Sequence, residues 1–226
     1  MLQKTKAISL SYIRYKESSV IARFITEQFG LQSFVVNGVR SAKSKMPLSY
    51  FQPLQLNEVV QYYNEKKDLH RLVEIKTAIP LADLPFNPAK TSQAIFIAEL
   101  VSRCIKEGQS HTDLFTLIWN WIIKLDARTS GFESYHIHLI WLMLQDLGFQ
   151  PESWKDIFPK ASYQSFFVEA DGDLFFESLN QLEKEPLTIG NANRKFILDS
   201  LLSYMQTHMD GLGQIRSLSV LRDVFG

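Results

Sequence analysis

The chain changes its hydrophobic rhythm near residue 80. Before that point apolar positions tend to recur every second residue, and after it every third or fourth. Ala7-Ile8-Ser9-Leu10-Ser11-Tyr12 alternates as a strand with one buried face does. Residues 20–26 form a β-branched and aromatic run, and Glu27-Gln28-Phe29-Gly30 turns the chain into a third strand at 31–39. A fourth run covers 54–63, and Asn64-Glu65-Lys66-Lys67-Asp68 leads into a fifth at 69–79. Five short strands predict a small closed barrel, because closure removes the unpaired edges an open sheet of this size would present. The longest interruption, 40–52, separates the third strand from the fourth.

Pro80, Pro85 and Pro88 mark a linker, and helical periodicity is expected after Thr91-Ser92. Ile97, Val101, Cys104 and Ile105 share one face of a first helix. Leu114, Ile118, Trp121, Ile122 and Leu125 share a face of a second, which begins after Thr112. Residues 135–147 are apolar almost all round, the mark of a central helix in a bundle. Gly148 stops that helix and Pro151 follows it. Residues 163–177 read as a small hairpin about Asp171-Gly172, with two further helices at 193–208 and 214–225. The expected class is α+β: a five-stranded barrel at 1–80, then an α-helical domain at 81–226 with a small hairpin insertion.

Composition agrees with a packed core, since 46% of the 226 residues are hydrophobic and 12% aromatic. The one cysteine, Cys104, excludes an internal disulfide framework and a Cys-rich zinc site, and reads as a small hydrophobe. The richest apolar run, 137–144, is far shorter than the roughly 18 residues that span a membrane. With no secretory leader at its start, the chain is expected to be soluble and cytoplasmic, without a membrane partner.

Charge divides the chain more sharply than its net value of zero suggests. Residues 1–80 carry twelve Lys and Arg against six Asp and Glu, and the remainder carries the opposite imbalance. A basic domain joined to an acidic one suggests a polyanion partner for the first half; ordinary solvated faces are the alternative.

No catalytic constellation stands out. Neither G-x-x-x-x-G-K-[ST] nor G-x-G-x-x-G occurs, so no loop of known type cradles a nucleotide phosphate. Asp171-Gly172-Asp173 lacks the spaced acidic ligands of a calcium loop and reads as a hairpin turn. His136 and His138 are two apart, which on a helix points them to different faces, so they read as core-edge or surface residues. Trp119 and Trp121 read as core. No catalytic residue, cofactor or metal is expected.

The loop Arg40-Ser41-Ala42-Lys43-Ser44-Lys45 is the strongest binding signal. Three cations interleaved with small residues suit successive phosphates. Arg14, Lys16 and Arg23 on or beside the first two strands extend the candidate DNA-binding set, and Tyr12, Tyr15 or Tyr50 are candidates to stack bases.

Several short motifs also resemble those of the RecO family, in order and along the whole chain. They are Lys4-Thr5-Lys6-Ala7-Ile8, Thr26-Glu27-Gln28-Phe29-Gly30, Val36-Asn37-Gly38-Val39-Arg40-Ser41 with Lys43-Ser44-Lys45, Phe51-Gln52-Pro53-Leu54, and Leu147-Gly148-Phe149-Gln150-Pro151. The resemblance implies an N-terminal OB-fold, an α-helical domain, binding of single- and double-stranded DNA, and annealing of complementary strands. It also implies cooperation with RecR, recognition of the C-terminal tail of single-strand binding protein, and help in loading recombinase onto coated strands. Many such proteins carry a four-cysteine zinc module after the L-G-[FY]-x-P motif. Here 152–190 contains no cysteine, so a degenerate, zinc-free hairpin module is expected, with Phe166, Phe167, Phe175 and Phe176 supplying apolar contacts instead. A partner tail ending in apolar residues and a carboxylate needs cations beside apolar helix faces, and Arg103, Lys106, Lys124 and Arg128 are the candidates. The competing reading is a protein-interaction adaptor in which the barrel is a scaffold and the helical domain docks peptides.

Overall fold

A computed structural model of the chain describes residues 1–41, 44–64, 66–158, 176, 177, 179 and 190–225. They divide into two compact units, Met1–Asp126 and Ala127–Gly226.

In the first unit five strands, β1 (Leu2–Tyr15), β2 (Ser19–Thr26), β3 (Gly30–Val36), β4 (Leu56–Tyr62) and β5 (Leu69–Thr77), close into a barrel in the order β1-β2-β3-β5-β4. This is the OB-fold arrangement. β1 is longer than the alternating stretch that announces it because it serves two neighbours. Its start pairs with β4, from Leu2 opposite Tyr62 to Ile8 opposite Leu56, and its end pairs with β2. A register shift between Ser9 and Ser11 bends the strand from one partner to the other. The barrel closes through a short parallel seam, Ser33 to Leu69, Phe34 to His70 and Val35 to Arg71. Phe24, Phe34 and Phe51 fill the interior, with Phe24 edge-on to both others at centroid distances of 5.6 and 6.0 Å.

Two helices complete this unit, α1 (Pro88–Cys104) and α2 (Thr112–Ala127). α1 starts earlier than the periodicity predicts. Pro88 sits at the first helical position, where its missing N–H costs nothing, and the Asn87 side chain accepts from Ala89 N at 3.1 Å and Lys90 N at 3.4 Å. The proline that reads as linker is therefore helix. The linker itself is pinned from the far end of α2, where the Asp126 carboxylate accepts from the N–H groups of Ala82, Asp83 and Leu84 at 3.0, 2.9 and 2.7 Å. Burial pushes the Asp126 pKa up, but these three donors outweigh it and hold the carboxyl below its ordinary value. Lys90 is wholly buried and donates to the Asp126 carbonyl at 2.8 Å and to Asp83 at 2.7 Å. Cys104 is partly buried, and desolvation pushes its thiol up to about 12, which disfavours the thiolate.

In the second unit α3 (Tyr135–Asp146) is buried almost all round, as its composition predicts. It ends in a left-handed Gly148, after which Phe149 N–H reaches back to Leu144 O at 2.8 Å. α3 packs with α5 (Asn191–His208), as does the short α4 (Trp154–Ile157), next to which Phe158 stacks on Phe196 at 5.3 Å. α6 (Leu218–Phe225) is shorter than the 214–225 expected, and Ile215 and Ser217 are buried ahead of its first turn. His136 is 1% exposed and His138 8%, so both belong to the core, which corrects their reading as edge or surface residues. Nine of the twelve α3 residues are buried, both histidines among them, so the helix turns little of its surface to water. The hairpin about Asp171-Gly172, most of the 152–190 module, and Phe166, Phe167 and Phe175 lie outside the described residues. Phe176 packs edge-on to Trp141 at 5.2 Å. Among the described residues no helix is long and apolar enough to cross a membrane.

Candidate nucleic-acid interface

Apart from those of the β4–β5 turn and β5 start, the described cations of the barrel fall into two groups according to what they touch. Lys4 and Lys76 converge on Glu58 at 3.0 and 2.9 Å, and these two ammonium groups, Lys76 foremost, hold the Glu58 carboxyl below its ordinary pKa. Lys6 lies 3.5 Å from Glu27 and over the Trp119 ring. Arg23 is held 3.5 Å from Glu107 and donates to Ser102 Oγ at 2.9 Å. Such exposed pairs add little stability, but each charge has a neighbouring countercharge or hydroxyl and is a weaker attractor for a phosphate.

The second group is gathered at one end. β1 and β2 are joined by a tight turn in which Lys16 is left-handed (φ 53°), its ammonium 5.3 Å from the Tyr15 ring. The N–H of Arg40 donates to Ser18 O at 3.2 Å, and Ser19 Oγ donates to Asn37 Oδ1 at 3.0 Å. These two bonds bring the start of the long loop beside the turn. Arg14, Lys16 and Arg40, far apart in sequence, therefore share one region, with Arg14 on β1 opposite Val20. Arg14, Lys16, Arg40 and Lys45 are exposed, and among the described residues none meets a carboxylate within ion-pair distance.

The loop is folded on itself rather than splayed. Ser41 Oγ donates to Gly38 O at 2.8 Å, Ser44 N–H to Ser41 O at 3.1 Å, and Met46 N–H to Ser44 Oγ at 3.1 Å. Both serine hydroxyls thus shape the loop. Met46, Leu48 and Tyr50 then pack on the barrel core, so the cationic loop is tethered at both ends. Lys43 and Ala42 lie outside the described residues. Of the three tyrosines considered for stacking, Tyr12 and Tyr50 lie partly buried against the core and Tyr15 is 38% exposed.

The structure does not bring Arg23 to this cluster. Its partner Glu107 belongs to the connection between α1 and α2, also accepts from Ser33 Oγ at 3.0 Å, and pairs by backbone with Leu31. That connection covers part of the outer face of β2 and β3. Gly30 permits the approach, since it has φ 63° and a Cβ there would stand 1.7 Å from Gln109 O.

Sequence reasoning passes over a second feature of the same barrel. A groove of about 550 Å³ runs along the closing seam between β3 and β5 and the β4–β5 turn, lined by Tyr62, Tyr63, Lys67, His70 and Arg71 among others. The signal available was the aromatic and cationic run from Tyr62 to Arg71, which reads as strand and turn. Of the cations assigned to a partner tail, Arg103 lines a groove of about 590 Å³ with Leu10, Tyr12, Phe51 and Ile95, and is forked onto Glu99 at 2.7 and 3.0 Å. Lys106 and Lys124 are exposed, and Arg128 lies in the second unit with its guanidinium 4.7 Å from the Tyr135 ring. Among the described residues no three His, Cys, Asp or Glu converge as metal ligands, and one cysteine cannot supply a four-cysteine site.

Comparison with known proteins agrees along the whole chain. Residues 1–80 match the family model of the recombination protein O N terminal, and residues 85–171 that of its C terminal. The chain is 31% identical over 242 residues to a DNA repair protein RecO of Azobacteroides pseudotrichonymphae, covering all of both. It is 30% identical to that of Flavobacterium psychrophilum over 98% of each chain, and 27% identical to that of Bacteroides fragilis over all of each.

Proposed function

The chain belongs to the RecO family of DNA repair proteins, and from that premise we propose that it is a recombination mediator that binds single- and double-stranded DNA at the basic end of its barrel, anneals complementary strands and helps load recombinase onto coated ones. The observation that carries this reading is the gathering of Arg14, Lys16 and Arg40 by the Arg40–Ser18 backbone bond, with no carboxylate within ion-pair distance of them among the described residues. Lys43 and Lys45 extend the cluster by sequence.

The chemistry is electrostatic. Two complementary strands repel through their phosphates, and a surface that screens both raises the rate of productive encounter without an energy source. The protein does this as a binding protein, not as an enzyme. Annealing of complementary oligonucleotides, measured with and without ATP and magnesium, tests the mechanism. The expected result is equal acceleration in both, fading as salt rises. Strict dependence on ATP would overturn it, and absence of acceleration at every salt would favour the adaptor.

Two protein partners belong to the same reading. RecR rests on family membership alone. The tail of single-strand binding protein ends in apolar residues and a carboxylate, and the groove holding Arg103 beside Leu10, Tyr12 and Ile95 supports a receptor of that chemistry. The tail carboxylate would exchange for Glu99 on Arg103. Peptide binding by Arg103→Ala, with Lys124→Ala for comparison, tests it: a loss confined to the first variant supports this groove, and a loss confined to the second moves the site away from it.

A further inference from the structure

The seam groove combines features that the basic cluster lacks. Tyr62 is 50% exposed and Leu69 42%, so apolar and aromatic surface faces water there. Behind them Phe29 stacks on Tyr63 at 4.3 Å, and Tyr63 on His70 at 5.5 Å with the rings 15° apart. Burial holds the His70 pKa below its ordinary value, so the ring is neutral at pH 7, and its Nδ1 meets no hydrogen-bond partner among the described residues. Lys67 and Arg71 line the same groove, which has no carboxylate in its wall among the described residues. The turn that carries Lys67 is tied down by Lys67 N–H to Asn64 O at 3.0 Å and Lys66 N–H to Asn64 Oδ1 at 3.0 Å. The groove is continuous with the basic end through Asn37, which lines it and holds Ser19.

We propose that this groove is a base-stacking subsite for single-stranded DNA, in which one unpaired base lies on the exposed face of Tyr62 and the phosphates flanking it meet Lys67 and Arg71. The inference rests on the reading of the barrel as a DNA-binding domain and adds to it a contact that duplex DNA cannot make. Cations alone hold a duplex and a single strand alike, whereas an aromatic face flanked by two cations discriminates in favour of an unstacked base. The charge of the wall selects a polyanion over an acid-poor apolar peptide.

The test uses the full chain with two oligomers of equal length, oligothymidine and the same phosphodiester backbone without bases. The protein should favour the oligomer with bases by about 5- to 150-fold, the worth of one stacked base. Tyr62→Ser should abolish that preference while leaving the salt slope unchanged, and Tyr62→Phe should keep it. Lys67→Ala with Arg71→Ala should flatten the salt slope and keep the preference. Matched thermal melting of the Ser and Phe variants ties any loss to the ring and not to the fold. If both oligomers bind wild type equally and Tyr62→Ser changes nothing, the barrel still binds DNA but the subsite is overturned, and an apolar protein partner is the better occupant. If wild type binds neither oligomer, the DNA-binding reading itself fails and the subsite with it.

Discussion

The carboxylate of Glu107 lies 3.5 Å from the guanidinium of Arg23 and accepts a 3.0 Å hydrogen bond from Ser33 on the neighbouring strand. An acidic side chain of the helical connection thus occupies a cation on the outer face of β2 and β3. Sequence alone shows Arg23 as one more cation on a basic barrel. The structure shows it already engaged.

Releasing Arg23 should strengthen DNA binding. Glu107→Gln keeps the shape of the connection and removes the competing charge. Its affinity for single strands at low salt should rise, and its salt slope should steepen by up to about 0.7, the worth of one phosphate contact on a single strand. An unchanged slope would mean that DNA does not reach β2 and β3 even when the cation is available.

The two groups of cations should behave differently when neutralised. Arg40→Ala with Lys45→Ala should flatten the salt slope by about 0.7 for each phosphate no longer neutralised, and weaken binding to all sequences alike. Lys4→Ala with Lys76→Ala removes the same formal charge from side chains already paired with Glu58, and should change the slope much less. Fluorescence anisotropy across a salt series measures both. Equal effects from the two double variants would count against the cluster.

Gly30 and Gly148 both have left-handed backbones, with φ 63° and 78°, but their surroundings differ. Alanine at 148 meets open space and should cost about 1 kcal/mol, the conformational term alone. Alanine at 30 adds a collision with the Gln109 carbonyl, a backbone atom that cannot swing aside, and should cost about 2–4 kcal/mol. Denaturant melts of the two variants should separate by that margin.

His136 makes the second unit acid-sensitive. Its burial, with Arg194 nearby, lowers its pKa to about 3, while in the unfolded chain it titrates at its ordinary value of 6.5. The neutral ring therefore contributes stability fully above pH 6.5. As pH falls below that value the unfolded chain takes up a proton that the folded one refuses, and stability is lost at up to about 1.4 kcal/mol per pH unit until the folded pKa is reached. His136→Phe should unfold less steeply between pH 6 and pH 4 than the parent, by roughly this slope. Parallel acid titrations of the two proteins would refute the assignment.

The five strands and their closure into a barrel were legible in advance, because alternating or β-branched and aromatic runs mark the strands and the turns carry Gly, Asn and Asp. The buried faces of α2 and α3 were legible for the same reason at helical period. The start of α1 was not, since Pro88 serves equally well to break a chain and to open a helix. Lys90 was hidden too: a lysine reads as solvated unless its partners are known, and Asp126 is distant in sequence. The candidate site was half visible. Charge counting found the Arg40 loop, but only the fold could show that Lys16 lies beside it, that Glu107 occupies Arg23, and that Tyr62 is left facing water.

The parallel seam between β3 and β5 holds only three residue pairs, fewer than any other junction of the barrel. It is where the barrel should breathe first, so the amides of His70 and Arg71 should exchange with deuterium sooner than those of β1 and β2. A nucleic acid strand laid in the groove along that seam would act as an external clasp. Occupancy would then be readable, without any label on the DNA, as slowed exchange at this one junction.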